Sequence, residues 1–336
     1  MPQHITLSEI AQLETGGKIS QAALEISNMT TILKDMKFYE SNQIMSDIDR
    51  RITTMPKGAF TDLSEGAPVS KGSMEQFTES MAWYEDSSVY ERKIQDLTGS
   101  LGDAARWEQD QLHLQSGGLE MEKILLYGNS LDPKEFDGFL TRANRLTDMN
   151  GYLKNSTKEQ NYYTTLDAGG TKSGSLASIL IVGKGNMEAS CIYPKNMKDC
   201  QYGLTYETYP MREVTENGKL SFQAYSYFRG VFGLKVKNRK SFVRIANIDY
   251  SDEACLKKLP NLIIAAVAAL PSTMRSNFKI YSNKEVTVGF KQLNQSLVTP
   301  VVYDGKIMSN PVGNIYIGNS LVTQCDSMLA TEERIA

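Results

Sequence analysis

Residues 101–128 carry the longest helical pattern of the chain, and this length constrains the shape that the protein can adopt. Apolar residues from Leu101 to Leu125 recur among Glu, Gln and Asp, with Asp103 near the start and Gly128 after the end. A helix of this length would be about 42 Å long, at 1.5 Å per residue. The sequence therefore predicts a strut that spans a flat molecule.

Two consecutive glycines, Gly117-Gly118, lie in the middle of this pattern. Each glycine in a helix interior costs roughly 1 kcal/mol relative to alanine. We therefore expect the predicted helix to bend or break at this point.

Residues 160–250 have the alternation that is typical of β-strands. The segment Phe222 to Phe228 alternates apolar and polar side chains, and Ser178 to Val182 is a short apolar run. Asn217-Gly218 is typical of a two-residue hairpin turn. These features predict a β-rich region that follows the long helix.

Residues 251–336 change character and predict a compact α+β unit. An apolar segment from Asn261 to Ala269 is bounded by Pro260 and Pro271, which predicts a short buried helix. The segment Phe278 to Tyr281 is a predicted strand that packs on this helix. The overall prediction is an α+β fold.

The first part of the chain predicts two segments that cannot fold alone. Residues 49–95 read as a long extended hairpin, and two strands alone are marginally stable in water. Residues 1–48 have only weak helical patterns and predict an N-terminal arm that lies against something else. Both segments therefore need another part of the assembly or a neighbouring chain.

Composition excludes several classes of protein. The hydrophobic content of 41% permits a substantial core, and the net charge of −3 argues against a dedicated nucleic-acid binder. The N-terminus has no basic region followed by an apolar core, so we expect no signal peptide. The apolar run Leu262 to Leu270 is about half of a membrane span, so we expect no membrane partner.

Candidate chemistry is sparse, and we predict no catalytic, cofactor-binding or metal-binding residues. The cysteines show no C-x-x-C pair or zinc spacing, and the two histidines, His4 and His113, lie far from each other. A histidine-based triad is therefore not indicated. An enzyme with Cys191 or Cys325 as nucleophile is the alternative from another class, weakened by the lack of a nearby histidine in sequence. The four cysteines are Cys191, Cys200, Cys255 and Cys325.

Motifs that resemble ligand sites also have simpler interpretations. The segment Asp167 to Gly174 lacks the Walker spacing, and Gly183-Lys184-Gly185 lacks the third glycine of a dinucleotide fingerprint, so both predict turns. Glu120 and Glu122 are interpreted as parts of a solvated helix face. Aromatic residues of the β-rich region are interpreted as packing rather than as a nucleic-acid platform, because Lys and Arg are sparse among them.

Several short motifs follow one another along the chain from about residue 50. They are Arg51-Ile52-Thr53-Thr54, Gly66-Ala67-Pro68-Val69-Ser70-Lys71, Tyr127-Gly128-Asn129, Asp167-Ala168-Gly169-Gly170-Thr171, Ile192-Tyr193-Pro194-Lys195, Gly203-Leu204, Tyr227-Phe228, Gly233-Leu234, Arg239, Val243-Arg244-Ile245-Ala246-Asn247-Ile248 and Asp326-Ser327-Met328-Leu329-Ala330-Thr331-Glu332. Each motif alone is weak, and their order makes the resemblance specific. Together they resemble one family, the major capsid proteins of tailed bacteriophages with the Hong Kong 97 fold, in the short-tailed, epsilon-15-like branch.

The resemblance implies a structural protein that self-assembles into hexamers and pentamers of an icosahedral head around double-stranded DNA. It implies scaffold and portal partners, a possible decoration protein, no cofactor, and a location in the virion after assembly in the bacterial cytoplasm. A shell protein of a cellular nanocompartment with the same fold is the alternative. The order of patterns along the chain predicts an N-terminal arm 1–48, an E-loop hairpin 49–95, a peripheral domain 96–250 with a spine helix 101–128, and an axial domain 251–336. In this prediction the strands of residues 176–250 lie beside the spine helix. The order is permuted relative to the usual arrangement of the resembled fold, in which the axial domain is inserted in the middle of the chain.

Overall fold

The computed structural model describes the chain in segments, and several motifs named above lie outside them. Asn217-Gly218, Lys184-Gly185 and Cys200 are not among the described residues, nor are residues 1–17 with His4. The described residues are 18–62, 65–98, 102–153, 162–183, 188–196, 203–216, 219–295, 302–303, 306–307, 316–317 and 320–336.

Helices and strands alternate through the described chain, in keeping with the predicted α+β class. The helices are α1 (Lys18–Met29), α2 (Ile32–Asp35), α3 (Arg92–Thr98), α4 (Gly102–Tyr127), α5 (Phe139–Arg142), α6 (Glu253–Ala269) and α7 (Lys284–Gln295). The strands are β1 (Phe38–Glu40), β2 (Ser46–Thr54), β3 (Ser73–Ser80), β4 (Ala82–Glu91), β5 (Thr164–Asp167), β6 (Ala177–Gly183), β7 (Ala189–Tyr193), β8 (Leu204–Glu216), β9 (Lys219–Val236), β10 (Phe242–Ile248), β11 (Phe278–Ser282), β12 (Val302–Tyr303), β13 (Lys306–Ile307), β14 (Tyr316–Ile317) and β15 (Ser320–Gln324).

The long helix α4 confirms the predicted strut, which we call the spine helix from here on. It is one continuous helix, so the expected break at Gly117-Gly118 is wrong. The two glycines instead permit close packing: a Cβ on Gly117 would lie 2.9 Å from the Tyr84 ring, and one on Gly118 would lie 3.1 Å from the Ile26 side chain. Tight contact on two sides therefore explains both glycines.

The first sheet packs on the spine helix. Its strand order is β1-β7-β9-β4, with β8 also paired to β9. Leu114, Met121 and Leu125 of the spine helix belong to one buried core with Phe228 and Phe232 of β9. Burial of these large side chains, at roughly 1.5–3 kcal/mol each, holds the helix to the sheet.

Helix α1 also packs on the spine helix, so residues 18–40 of the predicted arm lie against the body of their own subunit. Ala22, Ala23 and Ile26 are fully buried in the same core, and β1 pairs in parallel with β7. The weak apolar pattern of α1 did not indicate this packing. Three small or branched residues on one face are enough to bury the helix, because Gly118 of the spine helix allows a close approach.

The second sheet has its own core. Its strand order is β14-β15-β11-β6-β10-β5. Ile181 and Ile245 of the sheet share this core with Leu259 and Ile263 of α6 and with Phe290 of α7. Two helices and one sheet thus form a second packed unit.

The predicted division of the chain at residue 250 does not follow the two sheets. Strand β6 pairs with β10 on one side and with β11 on the other, so residues from both sides of position 250 share one sheet. Strands β6 and β10 pair within the second sheet rather than the first, although Leu180 and Val182 of β6 and Phe242 of β10 also belong to the core that contains the spine helix. Only β7, β8 and β9 from this range join the first sheet.

The hairpin is shorter than predicted. Strands β2 and β3 pair antiparallel from Ser46 opposite Ser80 to Thr54 opposite Ser73. Residues 82–91 form β4, which pairs with β9 along its whole length and belongs to the first sheet. The predicted range 49–95 is therefore corrected to a hairpin of residues 46–80.

Helix α6 begins earlier than the predicted Asn261. Asp252 caps its first turn, because the carboxylate accepts a hydrogen bond of 3.0 Å from the backbone N–H of Ala254. Pro260 lies inside the helix rather than at its start. Burial of Leu256, Leu259 and Ile263 on one face keeps the helix continuous across the hydrogen bond that proline removes.

Replacement of Leu112 by proline tests the continuity of the spine helix. Leu112 is 67% exposed, so the change removes little packing and acts on the backbone. We expect Leu112→Pro to lower the free energy of unfolding by about 3 kcal/mol or more. Urea unfolding of the unassembled subunit measures this. Leu112→Ala is the control and is expected to stay within about 0.5 kcal/mol of the parent; equal midpoints for the two variants would contradict the helix.

Candidate assembly elements

The thiols and the histidine of the described chain form no nucleophile-base pair. Cys191, Cys255 and Cys325 are buried, and burial raises the pKa of each thiol, so they remain protonated near neutral pH. His113 of the spine helix instead contacts Asp86 of β4, with 2.8 Å between Nδ1 and Oδ2. Among the described residues, no cluster of three metal-ligating side chains occurs.

The described helices include none that is both long and apolar enough to span a membrane. The longest of them, the spine helix, mixes charged and apolar residues along its length.

Buried charges hold the hairpin at its base. The guanidinium of Arg142 donates two hydrogen bonds, of 2.8 and 2.6 Å, to the carboxylate of Glu79 on β3. Both side chains are about nine-tenths buried. Burial lowers the pKa of Arg142, but the hydrogen bonds and charge of Glu79 have the larger combined effect and raise it, so the guanidinium stays charged.

A second charged contact joins the other hairpin strand to the body. Lys235 of β9 lies 2.5 Å from Asp47 and 2.8 Å from Asp49, both on β2. Burial raises the pKa of Asp49, but the hydrogen bonds from Lys235 and the Arg50 backbone, together with the charges of Lys235 and Lys237, lower this pKa to about 2. Arg51 adds a hydrogen bond of 2.7 Å to the carbonyl of Val236. Both strands of the hairpin are therefore fixed where they leave the body.

The far end of the hairpin exposes apolar side chains. Phe60 and Val69 are fully exposed, with relative accessibilities of 109% and 102%. Closer to the body than this tip, Ile52, Met55 and Met74 are also exposed. A hairpin that is fixed at its base and apolar at its tip is suited to contact with another molecule.

Glu122 of the spine helix is buried, which corrects its interpretation as part of a solvated face. Its Oε1 accepts hydrogen bonds of 2.7, 2.5 and 3.3 Å from the backbone N–H groups of Thr31, Ile32 and Leu33. Its Oε2 accepts a bond of 2.6 Å from the hydroxyl of Ser327. The carboxylate thus ties the start of α2 and the C-terminal segment to the spine helix.

The other member of that pair, Glu120, is exposed and lies 3.7 Å from Lys123. Residues two apart in a helix point to different sides, so the interpretation as a solvated face could not hold for both Glu120 and Glu122. Gly118 lies one turn before Glu122 on the same face and marks the close approach of α1. That glycine was the one available signal that Glu122 faces the interior.

A second buried carboxylate, that of Glu332, joins the C-terminal segment to the spine helix and to the second sheet. It accepts hydrogen bonds from Tyr127 of the spine helix (2.7 Å), Arg244 of β10 (2.8 Å) and Ser178 of β6 (2.5 Å). Burial, with the charge of Glu332 beside it, raises the pKa of Tyr127, so its hydroxyl remains a donor. Nothing in the sequence pattern indicated this cluster.

The described chain thus contains a spine helix, a hairpin fixed at its base and two sheet units, and buried polar clusters connect these elements. A solved structure of bacteriophage Epsilon15 is similar to it over 88% of this chain and 86% of that chain, with 19% identity and a TM-score of 0.60. The capsid of bacteriophage JBD30 is similar over 86% of this chain and 90% of that one, with 12% identity and a TM-score of 0.49. The class of fold is the Hong Kong 97-like capsid fold.

The family model for major capsid protein GP7 matches residues 14–336. The chain therefore belongs to this family of major capsid proteins, and it is a structural protein of the virion capsid rather than an enzyme. A search of curated proteins gives no match.

Disruption of the ion pair at the hairpin base tests whether it holds the hairpin. Arg142→Met removes both short hydrogen bonds to the buried Glu79 carboxylate and leaves it Arg51, at 4.0 Å, as a charged neighbour, which we expect to cost about 3 kcal/mol of unfolding free energy. The double variant Arg142→Met with Glu79→Met removes both charges and should recover most of this loss. Denaturant unfolding of the unassembled subunit measures both. A single variant as stable as the parent would show that the pair does not anchor the hairpin.

Proposed function

We propose that this protein assembles into hexamers and pentamers of an icosahedral phage head that encloses double-stranded DNA. In this assembly the hairpin of residues 46–80 reaches over a neighbouring subunit. The observation that carries the proposal is the contrast between the buried, charged base of the hairpin and its exposed apolar tip.

Burial of the tip supplies a driving force for association. Covering a side chain of the size of Phe60 or Val69 stabilises a contact by roughly 1.5–3 kcal/mol. A free two-stranded hairpin would lose much of this gain to ordering. The ion pairs at Arg142 and Lys235 keep the hairpin in one orientation before contact, which reduces that loss.

The two sheet units support an assignment of domains. The spine helix and the first sheet would form the peripheral domain, with residues 18–40 and 188–236. The second sheet with α6 and α7 would form the axial domain around the capsomer axis. This division replaces a simple boundary at residue 250, because the unit of residues 188–236 would return to the peripheral domain between two axial segments.

The further partners follow from the role of a head subunit. Packaged DNA would contact the inner face without sequence preference, and the net charge of −3 suits a shell that does not grip the polymer it must release. A scaffold protein, a portal and a decoration protein would bind other surfaces. Assembly would take place in the cytoplasm of the bacterial host.

Family membership favours a phage head over a cellular nanocompartment shell. The two alternatives differ in their contents, since a head encloses DNA and a nanocompartment encloses protein cargo. Nuclease-resistant DNA in particles isolated from infected cells is the expected result for this protein.

Deletion of residues 57–71 tests the role of the hairpin tip. This change removes Phe60 and Val69 but leaves β2, β3 and their ion pairs with the body. We expect a folded, soluble subunit that does not form closed shells, as seen by negative-stain electron microscopy. Circular dichroism provides the control that the subunit is folded. Normal closed particles from this variant would overturn the proposed role.

A further inference from the structure

The loop after the spine helix, residues 128–138, is held in one conformation by its own hydrogen bonds. The backbone N–H of Asn129 donates to Glu135 (2.9 Å), that of Ser130 to Asp137 (2.9 Å), and that of Gly138 to the carbonyl of Gly128 (2.9 Å). Because the loop is already ordered, binding through its apex would cost little further conformational entropy. We call these residues the post-helix loop.

The apex of the post-helix loop exposes an apolar residue. Leu131 is 88% exposed, although Phe136 in the same loop is buried against Phe232 with 5.3 Å between ring centroids. Asp132 and Lys134 flank the apex and are also exposed. One end of the loop is therefore anchored in the core, and the other presents a leucine to solvent.

A basic cleft of about 490 Å³ lies beside the base of the hairpin, a size that holds a few side chains. Ile52 and Met55 of the hairpin and Tyr162 provide its apolar surface. Its charged lining residues are Arg50, Arg51, Lys237, Arg239, Lys240, Glu75 and Glu188. Five positive and two negative groups leave the lining with a net charge of +3.

Not all of these cations have partners in the subunit. Lys237 lies 3.3 Å from Asp49, and Arg239 lies 3.5 Å from Glu75. Within the described part of the chain, the exposed side chains of Arg50 and Lys240 take part in no ion pair. These two groups are available to an acidic partner.

We propose that the post-helix loop of one subunit docks in the basic cleft of a second copy of this chain, with Leu131 against Ile52 and Met55 and Asp132 beside Arg50 or Lys240. The proposal rests on the proposed self-assembly of the protein. The loop carries Asp132, Glu135 and Asp137 against one Lys134, a net charge of −2, which complements the +3 of the cleft.

The lining of the cleft favours a protein occupant over a nucleic-acid backbone. Phosphate-binding surfaces are dominated by basic groups, whereas Glu75 and Glu188 here would repel phosphates. The methionine and isoleucine side chains match an apolar residue such as Leu131. The second copy is therefore the occupant that fits both the charge and the apolar surface.

Charge reversal tests the electrostatic part of the contact. Asp132→Lys alone, or Arg50→Glu with Lys240→Glu, is expected to raise the protein concentration needed for half-maximal assembly roughly tenfold at low salt. The combined triple variant should return close to the parent value, because the two surfaces are complementary again. Lys257→Glu, on an exposed side chain of α6, is the control and should have little effect. Failure of the triple variant to recover would overturn the proposed pairing.

Disulfide formation tests the geometry. Leu131→Cys with Ile52→Cys, in a Cys200→Ser background, is expected to give covalently linked oligomers in assembled particles and none in unassembled subunits. Leu97→Cys with Ile52→Cys is the matched control, because Leu97 is 87% exposed, like Leu131. Equal linkage in both pairs, or linkage within single chains, would overturn the proposal.

The outcomes separate this contact from the proposed function. Intact particles with neither disulfide linkage nor charge rescue would contradict the contact and leave the shell function standing. A loss of packaged DNA in the Arg50→Glu, Lys240→Glu variant, with unchanged assembly, would identify nucleic acid as the occupant of the cleft and reject the proposal. Absence of particles from the parent protein under all conditions would contradict the shell function itself.

Discussion

Oppositely charged side chains buried at the base of the hairpin fix the orientation in which the hairpin projects from the body of the subunit. Arg142 with Glu79, and Lys235 with Asp47, join the two hairpin strands to the body. A buried charge without its partner costs several kcal/mol, so these pairs strongly favour one orientation of the hairpin. The apolar side chains at the tip are consequently held in solvent, where a neighbouring subunit can cover them.

Buried charged groups also stabilise the body of the subunit, where the carboxylates of Glu122 and Glu332 connect distant parts of the chain. Glu122 joins the spine helix to the start of α2 and to Ser327, and Glu332 joins it to β6 and β10. Hydrogen bonds of this kind are directional and specify one arrangement, whereas apolar packing alone tolerates several. The spine helix thereby serves as the common attachment for both sheet units and for the C-terminal segment.

Local patterns in the sequence predicted the long helix and many of the strands. They could not predict which strands pair or which helix faces are buried, because these depend on residues far apart in the chain. The helix of residues 101–128 was predictable because its signal is periodic and ends at Gly128. The assignment of β4 to the first sheet was missed because its partner β9 lies far away in the chain. Burial of Glu122 was missed for a similar reason, since a helix face is interior only when a distant partner covers it. The family was recognisable from the order of many short motifs.

We propose that the hairpin is fixed within its own subunit and covered only in the assembly. Electron cryomicroscopy of assembled particles tests it most directly, because the reconstruction shows each hairpin together with its neighbours. We predict that Phe60 and Val69 are buried against an adjacent subunit while the Arg142–Glu79 pair at the base is retained. A hairpin folded back on its own chain, or one whose tip stays in solvent in the closed shell, would contradict the account.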